Sequence, residues 1–141
     1  MSAKTVAVNL LSRREHSAHE IREKLRQREF DEGEIELAIE ELKAGCWLSD
    51  ERFAEAYIRM SQLKGFGPLR IAMELKERGV DELIVEGQLD TNDASWMQIL
   101  EQQYQKKYRN TAIEDYNEKA KRIRFLQYRG FTLDAIYQVV K

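Results

Sequence analysis

Proline is almost missing from this chain: one residue in 141, with only seven glycines. So small a supply cannot serve the many tight turns of a β-sandwich or barrel. Cysteine is as rare. Cys46 stands alone, so no intramolecular disulfide can form, which fits a reducing, cytoplasmic setting. No apolar run approaches the roughly 20 residues that a membrane-spanning helix needs. Asn9 and Arg13-Arg14 interrupt the first apolar stretch, so no secretory leader is expected. Net charge is small too: 23 Lys and Arg face 25 Asp and Glu, a formal net charge of −2, which excludes a generic polycation. What remains is helix-forming material, 34% charged and rich in Glu, Lys, Arg, Leu and Ala.

Helix punctuation is frequent. Ser17-Ala18-His19-Glu20 reads as a capping box, in which the serine hydroxyl and the glutamate carboxylate satisfy free amide donors. Asp31-Glu32-Gly33-Glu34 follows similar logic, and Gly67-Pro68 puts proline at a first helical position, where its missing donor costs nothing. Gly45, Gly79 and Gly130 each follow a periodic apolar segment, as left-handed C-terminal caps do. Between these signals apolar residues recur at spacings of three and four: Ile35, Ala38, Ile39, Leu42; Ile71, Leu75; Ile136, Val139, Val140. Only helices are predicted.

Those helices repeat. An offset of 50 carries Ile21, Leu25, Arg28 and Phe30 onto Ile71, Leu75, Arg78 and Val80. An offset of 51 carries Phe53, Tyr57, Leu75, Arg78, Gly79 and Val85 onto Tyr104, Tyr108, Leu126, Arg129, Gly130 and Ile136. The first unit has Ala3 and Ala7 in place of the aromatic pair, and Glu29 where the others have glycine. Each unit is too small to be stable alone, and stacking buries a continuous core. The chain is therefore predicted to be all-α: a tandem array of three three-helix repeats, at 1–48, 49–92 and 93–141.

Charge follows the same period. Residues 1–28, 56–80 and 102–130 carry +4, +3 and +5, whereas 29–55 and 81–101 carry −8 and −6. Solvated faces account for such stripes. So does a surface suited to a partner that is itself periodic and charged.

Here the residues resemble a known family. Leu10-Leu11-Ser12-Arg13-Arg14-Glu15-His16-Ser17 and Glu20-Ile21-Arg22-Glu23-Lys24-Leu25 resemble the opening of the RecX regulatory proteins. So do Leu48 to Tyr57, Gly65-Phe66-Gly67-Pro68-Leu69-Arg70-Ile71, Leu75 to Val80, and the stretch from Lys119 to Phe131 ending Tyr128-Arg129-Gly130-Phe131. The resemblance implies an elongated, curved, monomeric array of three helical units, acting in the cytoplasm. It implies binding to the RecA recombinase and its filament on single-stranded DNA, restraining filament growth, ATP hydrolysis, strand exchange and the coprotease activity behind the SOS response and DNA repair.

Several tempting sites fail on chemistry. His16 and His19 lie three apart, but no further His or Cys completes a metal shell, and the order is not that of a zinc protease. Cys46 has no base in view and reads as a small packed hydrophobe. Gly65-Phe66-Gly67-Pro68 lacks the lysine and hydroxyl of a phosphate loop and reads as a helix-start turn. Phe53, Tyr57, Tyr104 and Tyr108, four apart on helices, read as core rather than as a platform for single-stranded bases. No cofactor, metal or catalytic group is expected, and the chain is read as a non-enzyme.

The basic residues carry the functional expectation: Arg70, Lys76 and Arg78 in the second unit, and Lys119, Lys121, Arg122, Arg124 and Arg129 in the third. Five positive charges, with Tyr128 among them and no acid, fill the stretch from Lys119 to Arg129. Arg122 falls on the register of Ile71 and so points partly inward. Two functions compete: a regulator of the RecA filament, and a helical module binding DNA directly through its basic second helices. The strong acidic stripes weigh against tight DNA binding alone, leaving weak binding as an aid to docking.

Overall fold

A computed structural model describes all of residues 1–141, and every regular element in it is a helix. The order is α1 (Ala3–Arg13), α2 (Ala18–Gln27), α3 (Glu32–Ala44), α4 (Asp50–Leu63), α5 (Pro68–Glu77), α6 (Glu82–Gln88), α7 (Ser95–Tyr108), α8 (Tyr116–Arg129) and α9 (Leu133–Val139). The predicted offsets equate α1 with α4 and α7, α2 with α5 and α8, and α3 with α6 and α9. No helix is long and apolar enough to cross a membrane.

The chain divides into two compact units, and the division runs through α4 and α5. Met1–Ala56 with Leu75–Gln88 form one; Tyr57–Glu74 with Leu89–Lys141 form the other. In the first, α1, α2 and α3 bury Val6, Leu10, Ile21, Leu25, Ile35, Ile39 and Leu42 in one core. Ala3 and Ala7, which replace the aromatic pair of the later repeats, are fully buried there. In the second, Leu100, Tyr104, Leu126, Phe131, Ile136 and Val140 form the core. Of the apolar positions named from their spacing, 35, 38, 39, 42, 71, 75, 136 and 140 are buried, and Val139 is half-buried. Burying a Leu or Ile side chain is worth about 1.5–3 kcal/mol, which is what makes that spacing legible.

All but one of the caps named from the sequence form as expected. Ser17 accepts from the amide of Glu20, and the Glu20 carboxylate accepts from the Ser17 amide, closing the capping box. Asp31 caps α3 through the Gly33 amide, and α5 begins at Pro68. Gly79 and Gly130 take the left-handed conformation, with φ of 77° and 104°. Gly45 does not: its φ is −85°, and the neighbouring Cys46 carries the left-handed turn instead, at φ 62°. Cys46 is exposed rather than packed, a second correction at the same turn. Glu29, standing where the later repeats have glycine, adopts the glycine conformation all the same, with φ 65°.

The aromatic stripe is packing. Phe53 and Tyr104 are buried, Tyr57 and Tyr108 half-buried, and Tyr108 meets Phe125 edge-on with ring centres 5.9 Å apart. His16 is buried, with Nδ1 3.0 Å from the Arg14 carbonyl, and burial lowers its pKa from the usual histidine value.

Candidate functional site: a basic, aromatic face in the second unit

The site begins with how helix ends meet. Within the second unit, the amide of Gly67 donates to the Arg129 carbonyl (2.8 Å) and that of Leu69 to the Gly130 carbonyl (2.9 Å). The positive end of α5 thus meets the negative end of α8, where each supplies what the other lacks. The approach is so close that a Cβ at Gly67 would lie 2.5 Å from the carbonyl carbon of Gly130, and a Cβ at Gly130 would collide with that of Arg70. This is why the stretch from 65 to 68 needs glycine at 67. It is a helix-start turn, as expected, but its backbone is committed to α8.

That junction brings Arg70 and Arg129 together. Their guanidinium carbons lie 3.9 and 4.4 Å from the centre of the Phe66 ring, and Arg70 is also 5.5 Å from the centre of Tyr128. Arg70 is balanced by Glu74 (Nε–Oε2 3.4 Å), whose other oxygen accepts from the Tyr57 hydroxyl at 2.8 Å. Arg129 is held by neutral acceptors: the Lys64 carbonyl at 2.6 Å and Gln103 Oε1 at 3.1 Å. Burial, then the charge of Arg70, pulls the Arg129 pKa below the usual arginine range. The junction therefore keeps an uncompensated positive charge among aromatic rings.

Along α8, Lys121 and Arg124 are exposed and Lys119 half-exposed. Positions 121, 124 and 128 share one helix face by their spacing, so Tyr128, 76% exposed, stands in line with the two cations. Lys107 of α7 rests its ammonium 4.4 Å from the Phe125 ring, a contribution that sequence reading missed although Lys106-Lys107 was visible as a basic pair.

Arg122 does not belong to this face. It is 1% exposed, its guanidinium donating to Tyr104 Oη (2.8 Å), the Thr111 carbonyl (3.1 Å), Thr111 Oγ1 (3.2 Å), the Ala112 carbonyl (3.3 Å) and Glu118 (2.6 Å). The hydrogen bonds to Tyr104 and Glu118 raise its pKa further. Arg122 is thus removed from the expected contact residues: the Ile71 register places it inside, and five hydrogen bonds make its charge tolerable there.

The remaining two expected residues, Lys76 and Arg78, lie in the first unit. Lys76 is exposed; Arg78 is half-buried, with Nε 4.0 Å from Glu20 Oε2, and its carbonyl accepts the Ser17 hydroxyl at 2.7 Å. The end of α5 thus docks on the start of α2 as the end of α8 docks on the start of α5.

Fold and site together define a tandem array of three-helix units with a basic, aromatic face in the second unit. The chain belongs to the RecX regulatory proteins. Family models of the first, second and third RecX three-helix domains match residues 3–42, 49–87 and 95–140. Among named relatives, Regulatory protein RecX of Vibrio parahaemolyticus is 35% identical over 136 residues, 96% of this chain and 88% of the relative. That of Legionella pneumophila strain Corby is 38% identical over 135 residues, 96% and 90% of the two. The crystal structure of RecX from Lactobacillus salivarius superposes with a TM-score of 0.84 at 25% identity, covering 98% of this chain and 92% of that one.

Proposed function

We propose that this chain, with its repeats divided at 1–48, 49–92 and 93–141, binds the RecA recombinase filament on single-stranded DNA and restrains it. Filament growth, ATP hydrolysis, strand exchange and coprotease activity are the processes held back, and DNA repair and the SOS response the setting, in the cytoplasm. The observation that carries this reading is the match of all three RecX domains, in order, along nearly the whole chain. The chemistry supports it. A filament repeats its contacts along an axis, and three tandem units offer a monomer several places to meet it. Arg70, Arg129, Lys119, Lys121 and Arg124, with Lys76 and Arg78 of the first unit, supply positive charge toward acidic side chains and phosphates. We read the chain as a regulator without catalysis and without a cofactor.

Direct DNA binding is the second reading, favoured by the exposed cations of α8 beside Tyr128. One experiment separates the two. RecA ATPase on single-stranded DNA is followed at rising amounts of this protein, alongside its affinity for bare and RecA-coated strands near physiological salt. Inhibition below one molecule per RecA subunit, with preference for the coated strand, is the expected result. Inhibition only once bare DNA is saturated makes competition for the strand the cause and ends the regulator reading.

A further inference from the structure

Where the start of α5 lies against the end of α8, an open notch of about 440 Å³ remains, lined by Leu69, Arg70, Met73, Glu74, Tyr128 and Gly130. Its walls are apolar and face solvent: Leu69 is 48%, Met73 55% and Tyr128 76% exposed. We propose that this notch receives one apolar side chain of a protein partner, presented between carboxylates. The proposal deepens the reading of the chain as a protein-binding regulator, and rests on it.

The repeat supplies an internal control. In the first unit the end of α5 meets the start of α2 in the same way, Ser17 bonding to the Arg78 carbonyl and a Cβ on Gly79 colliding with His19. Offsets of 50 and 51 place His19, Glu20, Glu23 and Glu77 there at the positions of Leu69, Arg70, Met73 and Tyr128. The junction of helix ends therefore needs no apolar rim; a charged one serves. Leu69, Met73 and Tyr128 answer a demand outside the fold. Tyr, Met and Arg around a dent are the residue types that anchor protein interfaces.

Charge selects the occupant. The carboxylate in the notch, Glu74, is occupied by the Tyr57 hydroxyl and by Arg70. Arg129 beside it meets neutral acceptors, and Arg124, one turn before Tyr128, is exposed. The rim is left positive, so the residues flanking the incoming side chain are acidic. Aliphatic walls at Leu69 and Met73 suit a leucine or phenylalanine; a base would find one ring, Tyr128, to stack on.

The test uses Met73→Glu and Tyr128→Ala in the full chain, both checked by circular dichroism to fold and melt as the parent does. Each is expected to weaken association with RecA-coated single-stranded DNA at least tenfold while leaving affinity for a bare oligonucleotide unchanged. Unchanged affinity for the coated strand overturns the proposal. So does an equal loss on the bare oligonucleotide, which would make Tyr128 a base-stacking residue. Should the parent protein itself ignore RecA-coated strands, the regulator reading fails and the notch is decided separately. A synthetic peptide with one phenylalanine between aspartates is then titrated while the Met73 methyl and Tyr128 ring resonances are followed. Shifts confined to the notch and lost in Met73→Glu keep the proposal, and their absence at millimolar peptide ends it.

Discussion

Arg122 shows what one buried charge does to a small helical unit. Its guanidinium joins α8 to Tyr104 of α7 and to the loop at Thr111 and Ala112, elements whose apolar contacts alone leave polar groups to satisfy. It also lies over the Tyr108 ring at 4.5 Å. Truncating one member of such a network strands the others. Arg122→Ala is expected to lower stability by about 3–5 kcal/mol, whereas Lys121→Ala, three atoms of stem on an exposed face, stays within about 0.5 kcal/mol. Urea unfolding of the two variants checks this, and a loss below about 1 kcal/mol for Arg122→Ala would mean that the bonds contribute little. Register pointed Arg122 inward, since position 122 lies on the line of Ile71. Residue type pointed it outward, because arginines on helices are mostly solvated. Glu118, one turn earlier, was within helical reach, but Tyr104, Thr111 and Ala112 sit 10 to 18 residues earlier, outside any helical spacing, and no local pattern could have supplied them.

At the scale of the helix, the recurring device is an N-terminus that receives the C-terminus of a later helix. Ser17 caps α2 in the usual way, and its hydroxyl also donates to the Arg78 carbonyl at the end of α5. One side chain thus satisfies an orphan donor of one helix and an orphan acceptor of another. Losing a serine cap costs about 1 kcal/mol, and taking the Ser17 donor from the part-buried Arg78 carbonyl adds about 1 kcal/mol or more. Ser17→Ala should therefore cost about 2 kcal/mol or more, and Ser2→Ala, which removes an exposed cap on α1, less than half of that. Equal losses in thermal melts of the two would show that the Ser17–Arg78 bond adds nothing. The capping box was legible because its residues are local. The docking was not: offsets of 50 and 51 say which helices are equivalent and nothing about which ends touch. Gly45 illustrates the same limit within one turn, since the left-handed residue proved to be Cys46, one place on.

For the whole molecule, the near cancellation of charge hides its segregation. A net charge of −2 gives little long-range attraction to a nucleoprotein, so the proposed binding to one requires steering by a local face. On that face Lys121 and Arg124 are exposed and Lys119 half-exposed, and charge so placed can act on a partner. Reversing all three to glutamate, with Arg122 left in its network, should leave the melting temperature near that of the parent. Binding to RecA-coated single-stranded DNA should fall about tenfold at low salt, chiefly in the association rate, because complementary charge steers encounter more than it holds the complex. Added salt should narrow the gap, since exposed charges are screened beyond about 8 Å at physiological ionic strength. The rival account is that these cations serve only the fold, attracting the chain's own acidic helices. It makes the opposite pair of outcomes: a lower melting temperature, and unchanged affinity per folded molecule. Measuring both quantities on the one triple variant, at two salt concentrations, decides between a face built for a partner and a face built for the protein itself.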